Sequence, residues 1–205
     1  ENKTLRTDYI FAGDSAVQEI SLDELLCLPK WAGRRHNLDS LSVAGNGQIV
    51  MRDSVTRKVI YRTSFSSLFQ EWQSTEEATR LRRSFENVFL LPMPKRTVEI
   101  SLTLFDVHRK PLSQLVNMVN PKDILIRSIG TTGAPESKYI WRGGSPDSCI
   151  DIAVVAEGYT ASEKEKFYAK AEETAQAIFS SEPFKSYKSR INIVAVAAAS
   201  QDSGV

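Results

Sequence analysis

The stretch Thr97-Val-Glu-Ile-Ser-Leu-Thr-Leu-Phe-Asp-Val107 decides the fold class of the first part of the chain. Val98, Ile100, Leu102 and Leu104 alternate with Glu99, Ser101 and Thr103. Side chains two positions apart on a strand share a face, so the first set is expected in a core and the second in water. Outward from this strand the same grammar recurs. Residues 48–52 and 58–62 are two β-prone runs joined by the polar Asp53-Ser-Val-Thr-Arg57, which predicts a hairpin. Further strands are expected at 6–11, 64–69, 85–91 and 123–129, each bounded by polar or Pro-containing turns. Helix is confined to 23–27 and to 75–83, with Thr75 as N-cap and Glu76 and Glu77 in the first turn. Short strands punctuated by turns at this spacing predict a β-sandwich over residues 1–129.

Residues 130–148 carry Gly130, Gly133, Pro135, Gly143, Gly144 and Pro146 without sustained periodicity, and are read as a linker. From Cys149 to Val205 the pattern becomes β-α-β. Residues 150–156 and 191–199 are nearly continuous apolar runs, as expected of strands covered on both faces. Between them, Thr160 followed three positions later by Glu163 fits a capping box. Phe167, Ala171, Thr174, Ala175 and Ile178 then form one helical stripe, and Pro183 marks the stop. Such a unit should close as a right-handed parallel crossover. Too small to cover both faces of its strands, it reads as the truncated opening of a larger α/β domain, so more protein is expected after Val205.

Composition narrows the function classes. With 41% hydrophobic and 25% charged residues the chain should fold, since disorder needs less apolar content and a larger charge imbalance. Twenty-six Lys plus Arg against 25 Asp plus Glu leave +1, which provides no whole-molecule attraction to nucleic acid. No apolar run approaches the length of a transmembrane segment, roughly 20 residues. The chain begins at Glu1 rather than Met, which is compatible with a removed signal peptide. Cys27 and Cys149 are too far apart for a metal knuckle, and their spacing leaves open whether they pair or stay separate thiols.

The motifs that carry chemistry are sparse. His36 and His108 are isolated from each other, so no His-Glu-x-x-His zinc helix occurs in these residues. No nucleophile elbow or phosphate loop is present, and Gly45-Asn-Gly47 reads as a tight turn entering a strand. Three features remain. Trp31-Ala-Gly-Arg-Arg-His36 is either a receiver of a carboxylate, phosphate or sugar, or a structural loop whose arginines pair with neighbouring acids. Glu157-Gly-Tyr159 lies just past the carboxyl end of a buried strand, where open α/β sheets bind ligands; its plainer reading is a carboxylate capping backbone amides. Phe65, Phe69, Trp72, Phe85 and Phe89 either line a groove for sugars or peptides or fill a core. The structural reading is preferred for all three.

Four segments of the first domain, Trp31-Ala-Gly-Arg-Arg-His-Asn-Leu38, Gly45-Asn-Gly-Gln-Ile49, Tyr61-Arg-Thr-Ser-Phe-Ser-Ser-Leu-Phe-Gln-Glu-Trp72 and Phe85-Glu-Asn-Val-Phe-Leu-Leu-Pro92, together resemble the amino-terminal domain of the IgA-peptidase-like metallo-endopeptidases. Ile152-Ala-Val-Val-Ala-Glu-Gly-Tyr159, Ser181-Glu-Pro-Phe-Lys-Ser-Tyr187 and Asp202-Ser-Gly-Val205 look like the start of that family's catalytic domain. The resemblance implies an exported bacterial zinc peptidase, secreted, periplasmic or on the cell surface, with a β-sandwich ahead of a zincin-like α/β domain. Its zinc would sit on a His-Glu-x-x-His helix whose Glu activates the metal-bound water. No position of this sequence matches that helix, so no metal ligand and no catalytic residue is assigned, and the catalytic residues stay unknown. Zinc is expected for the intact protein and none in this chain, whose 205 residues hold no catalytic motif and are expected to be inactive alone. The expected partners are a protein or peptide substrate and the rest of its own catalytic domain, with no nucleic acid. The alternative is a non-catalytic β-sandwich that binds a glycan or protein as part of a cell-envelope protein.

Overall fold

A computed structural model describes residues 1–204 except 42 and 131. Position 131 of the expected linker and Val205 of the last family-like segment therefore lie outside the described residues. The chain divides into two compact units, Glu1–Gly130 and Thr131–Val205.

In the first unit, β1 (Thr4–Gly13), β2 (Gln18–Leu28), β5 (Arg83–Pro92) and β8 (Arg127–Ser128) form one sheet in the order β5-β1-β2-β8. The second sheet orders β3 (Gly47–Asp53), β4 (Val59–Phe65), β6 (Val98–Phe105) and β7 (Pro111–Val119) as β4-β3-β6-β7. The two sheets share one core, to which Leu5, Tyr9, Phe11 and Leu91 come from the first and Ile49, Met51, Ile100 and Leu102 from the second. The alternation read in Thr97–Val107 holds: Val98, Ile100, Leu102 and Leu104 are buried. Ser101 and Thr103 are buried as well, contrary to expectation, because β6 is an interior strand whose outer face is covered by neighbouring side chains. Arg52 donates to Ser101 Oγ at 3.3 Å, and Gln114 donates to Thr103 Oγ1 at 2.9 Å.

The expected hairpin forms, β3 pairing antiparallel with β4. Several other expectations are corrected. Residues 23–27 are strand, not helix: Asp23-Glu-Leu-Leu-Cys27 is locally helix-prone, but β1 offers a complete antiparallel partner from Thr4↔Leu28 to Gly13↔Gln18, and pairing overrides propensity. The strand expected at 64–69 ends at Phe65, where Ser67 caps a short helix, α1 (Leu68–Gln73), by accepting from Gln70 N–H at 3.3 Å. The helix expected at 75–83 is only a single 3-10 turn at Glu77–Thr79, followed by β5. The strand expected at 123–129 shrinks to Arg127–Ser128, since Asp123 and Asn120 fold the preceding residues into turns.

In the second unit, β9 (Glu136–Arg142), β10 (Ile150–Val155) and β11 (Ile191–Ala197) form a sheet ordered β10-β11-β9. The β10-helix-β11 crossover is parallel as expected. β9 lies inside the segment read as a linker and pairs antiparallel with β11. The sequence hid it because its first half is polar and its half-buried apolar residues, Ile140 and Trp141, are adjacent, so no apolar period shows. Gly143 and Gly144 also belong to this unit, both donating to Oδ1 of the fully buried Asn192, at 2.9 and 3.1 Å. Asn192 in turn donates to Asp151 at 2.7 Å. The crossover helix α2 (Lys164–Phe179) buries Phe167, Tyr168, Ala171 and Ala175. Thr174, expected in that stripe, is exposed and donates to the Lys170 carbonyl, while Tyr168 takes its place. No helix among the described residues is long and apolar enough to cross a membrane.

Candidate functional site

The Trp31–His36 segment is a locked loop. Trp31 is buried, donates from Nε1 to the Arg34 carbonyl at 3.1 Å and meets Tyr61 edge-on at 5.9 Å. The Arg34 guanidinium donates to the carbonyls of Asn37, Leu38, Ser40 and Arg62 and lies over the Tyr61 ring. Its donors are therefore consumed by backbone, not by the acids that were anticipated. Arg35 reaches Asn2 and the Trp31 carbonyl, and His36 is exposed. The aromatic set also reads as core: Phe65 packs on Phe89 at 4.5 Å, and Phe69, Trp72 and Phe85 pack on one another at 5.6 to 6.1 Å. Both cysteines are free thiols, half-buried.

The third feature opens onto a crevice. β10 and β11 run parallel, so their carboxyl ends lie at one edge of the sheet, where the loops that follow diverge. A hollow of about 220 Å³ sits there, floored by the small side chains of Ala156, Ala197, Ala198 and Ala199 and walled by Tyr159 and Phe167, whose rings are 5.6 Å apart.

The loop after β10 is held in place by the loop after β11. Gly158 N–H donates to Ser200 Oγ at 2.9 Å, Ser200 N–H to the Tyr159 carbonyl at 2.8 Å, and Gly204 N–H to the Gly158 carbonyl at 2.8 Å. Gly158 has φ +70°, and a Cβ there would lie 2.3 Å from the Gly204 carbonyl oxygen, so only glycine fits. The capping box forms with Glu163 as its carboxylate: Glu163 accepts from Thr160 N–H at 3.1 Å and from Ser203 Oγ at 3.0 Å. Those bonds, with smaller help from the Thr160 hydroxyl and Lys166, pull the Glu163 carboxyl down to about 2. The acid singled out in the sequence, Glu157, is exposed and makes no hydrogen bond among the described residues; the amide-capping carboxylate is its neighbour six positions on.

One flank of the hollow carries charge. Lys164 Nζ donates to Glu136 Oε2 at 2.9 Å, and Tyr168 Oη to Glu136 Oε1 at 3.4 Å. The hydrogen bond to Lys164 holds the Glu136 carboxyl below its ordinary value, and the same bond raises Lys164, while desolvation raises Tyr168. A lysine so paired stays protonated, which suits it to holding a carboxylate and not to acting as base or nucleophile. Glu136 was missed because it lies in the segment read as a linker, far in sequence from its partner Lys164.

The crevice can thus seat a small apolar group, but it has no nucleophile–base pair. Zinc ligation needs His, Cys or carboxylate groups in convergence. His36 and His108 belong to exposed loops of the other unit, and the acids nearest the crevice, Glu136 and Glu163, are committed to Lys164 and to Thr160. Among the described residues no group of three or more His, Cys, Asp or Glu converges. The residues present therefore do not fit zinc.

Comparison with protein families resolves what this geometry belongs to. Residues 1–115 match the family model described as Peptidase M64 N-terminus, and residues 140–205 match the model described as IgA Peptidase M64. No curated protein matches the chain. The two matches fall one in each structural unit, in chain order, with the crevice inside the second: the chain belongs to the IgA peptidase M64 family.

Proposed function

We propose that this chain is the front part of an exported, zinc-dependent metallo-endopeptidase that cleaves protein substrates with a metal-activated water. The observation that carries the reading is the pair of family matches, amino-terminal model on the first unit and peptidase model on the second. In this reading the first unit is a non-catalytic β domain, and the β10-α2-β11 unit opens a zincin-like fold. In this reading the metal and the catalytic Glu belong to residues other than these 205, whose sequence has no His-Glu-x-x-His helix. The part of this chain is structural: it presents a crevice at the carboxyl ends of two parallel strands and an open sheet edge at β10, against which the rest of the catalytic domain packs. Export, to the periplasm, cell surface or medium, belongs to the same proposal.

The test is direct. The purified 205-residue chain is expected to bind no stoichiometric zinc in equilibrium dialysis and to leave casein and immunoglobulin intact. Proteolysis by the verified chain that a chelator abolishes would overturn this reading. IgA in particular is not assigned as substrate.

A further inference from the structure

One end of the first unit concentrates exposed cations that form no ion pair among the described residues. Elsewhere on this unit arginines are matched: Arg6 with Asp8, Arg57 with Glu99, Arg80 with Glu76, Arg83 with Glu77 and Arg127 with Glu24. By contrast Lys3, Lys58, Lys95, Arg96 and Lys122 are exposed, and none forms an ion pair among the described residues. The fold gathers them. Met93 N–H donates to the Lys3 carbonyl at 2.9 Å, which sets Lys95 beside the start of β1. Ser54 N–H donates to the Thr97 carbonyl at 3.3 Å, which brings the β3–β4 turn and Lys58 to Arg96.

These cations rim two adjoining hollows that share Glu1, Met93 and Lys95. The larger, about 480 Å³, has an apolar floor that includes Met51, Tyr61, Met93 and Val98. Two acids border it, Glu1 and Asp53; the Asp53 carboxylate accepts from Val55 N–H, Thr56 N–H and the Thr56 hydroxyl of its own turn and is also drawn to Arg96, so the five cations still outnumber the acids. The smaller hollow, about 170 Å³, lies between Lys3, Lys95 and Lys122.

We propose that these hollows form a docking site for an acidic stretch of polypeptide, whose carboxylates meet the lysine rim while an apolar side chain enters the larger hollow. Charge complementarity selects the partner: like charges gathered on one rim repel in the free protein, and an anionic segment relieves that repulsion. The apolar floor sets a peptide apart from the other polyanions. Tyr61 is buried and engaged edge-on by Trp31, so no aromatic face is offered for stacking a nucleobase. The hollow is concave, so its apolar atoms do not reach into a bilayer. The site lies outside the crevice of the second unit and does not depend on the peptidase reading.

The experiment is fluorescence anisotropy of the 205-residue chain with a fluorescein-labelled octapeptide of alternating Glu and Leu. Binding is expected to weaken with added salt, to fall about tenfold or more in K95E/R96E, and to stay unchanged in Lys110→Glu, which reverses an exposed cation outside the patch. An all-Glu octapeptide should bind more weakly than the Glu/Leu one, because it leaves the apolar floor empty. The proposal is overturned if the peptide does not bind, if K95E/R96E binds it unchanged, or if the two peptides bind equally. It is equally overturned if single-stranded DNA, or vesicles containing phosphatidylserine, bind more tightly than the Glu/Leu peptide through the same lysines. Both variants change exposed side chains, and unaltered thermal unfolding confirms that the fold is kept.

Discussion

Two residues close the loop between β10 and α2, and each supports a prediction. Glu163 has a carboxyl pulled from its ordinary 4.5 to about 2, first by Thr160 N–H and then by Ser203. For an acid whose folded value is depressed, the stabilisation is complete above the unfolded value and is lost as pH falls through the folded one. The Glu163 contribution is therefore present above about pH 4.5 and disappears between there and about pH 2. Glu163→Gln is expected to flatten that part of the stability curve. The wild-type minus variant difference in denaturant midpoint, followed across this window, isolates Glu163 from Asp14 and Asp53, which are also depressed. An unchanged difference would mean the carboxylate is not the capping group. Gly158 makes the companion case: Gly158→Ala forces a side chain into a left-handed backbone and onto the Gly204 carbonyl, and should cost about 1–3 kcal/mol in urea unfolding. The reading of Glu157 as an amide-capping carboxylate placed that role on the wrong acid of this loop, since Glu163 performs it. Thr160 and Glu163 were readable because a capping box is local, whereas the Lys164–Glu136 pair joins residues 28 positions apart and leaves no local trace.

At the scale of elements, the strands that sequence reveals are those whose polarity alternates between their two faces, or those apolar on both. β6 shows the first pattern, although both of its faces are buried; β10 and β11 show the second, although β10, at the edge of its sheet, is largely exposed and not covered on both faces as expected. Leu102, fully buried at the centre of β6, is placed to test the first: Leu102→Ala should destabilise the first unit by about 3 kcal/mol, read from the denaturant midpoint at constant m-value. Ser67 marks the point where β4 gives way to α1, and Ser67→Ala should cost about 1 kcal/mol. That helix start was overlooked because the aromatic Phe65 and Phe69 favour a strand; Asn46, which accepts from Ser67 N–H, and the cap itself turn the chain into a helix instead. β2 fails in the other direction. Its Asp23-Glu-Leu-Leu-Cys27 favours helix, and the bulge between Asp8 and Tyr9 in its pairing with β1 breaks the alternation that would have marked a strand. β9 has no alternation to show, since the residues it packs on the core, Ile140 and Trp141, are adjacent at one end of the strand.

For the molecule as a whole, the two units differ in how completely they cover themselves. The first encloses a core between two four-stranded sheets. The second has one helix against three strands, and β10 is an edge that carries Ile150 and Val155 at 65% and 60% exposure. Natural sheets protect such edges with charge, bulges or proline, and β10 has only Asp151. Its apolar texture is that of a strand meant to be flanked on both sides, in keeping with a sheet that gains further strands in the proposed peptidase. The consequence for the 205-residue chain is association through that edge. Sedimentation velocity should show concentration-dependent oligomers, and Val155→Lys, which places a charge on the exposed face of β10, should shift them toward monomer without lowering the stability of the first unit. A chain that stays monomeric at high concentration, or oligomers indifferent to Val155→Lys, would mean that the exposed edge is already satisfied and that β10 is not where the sheet grows.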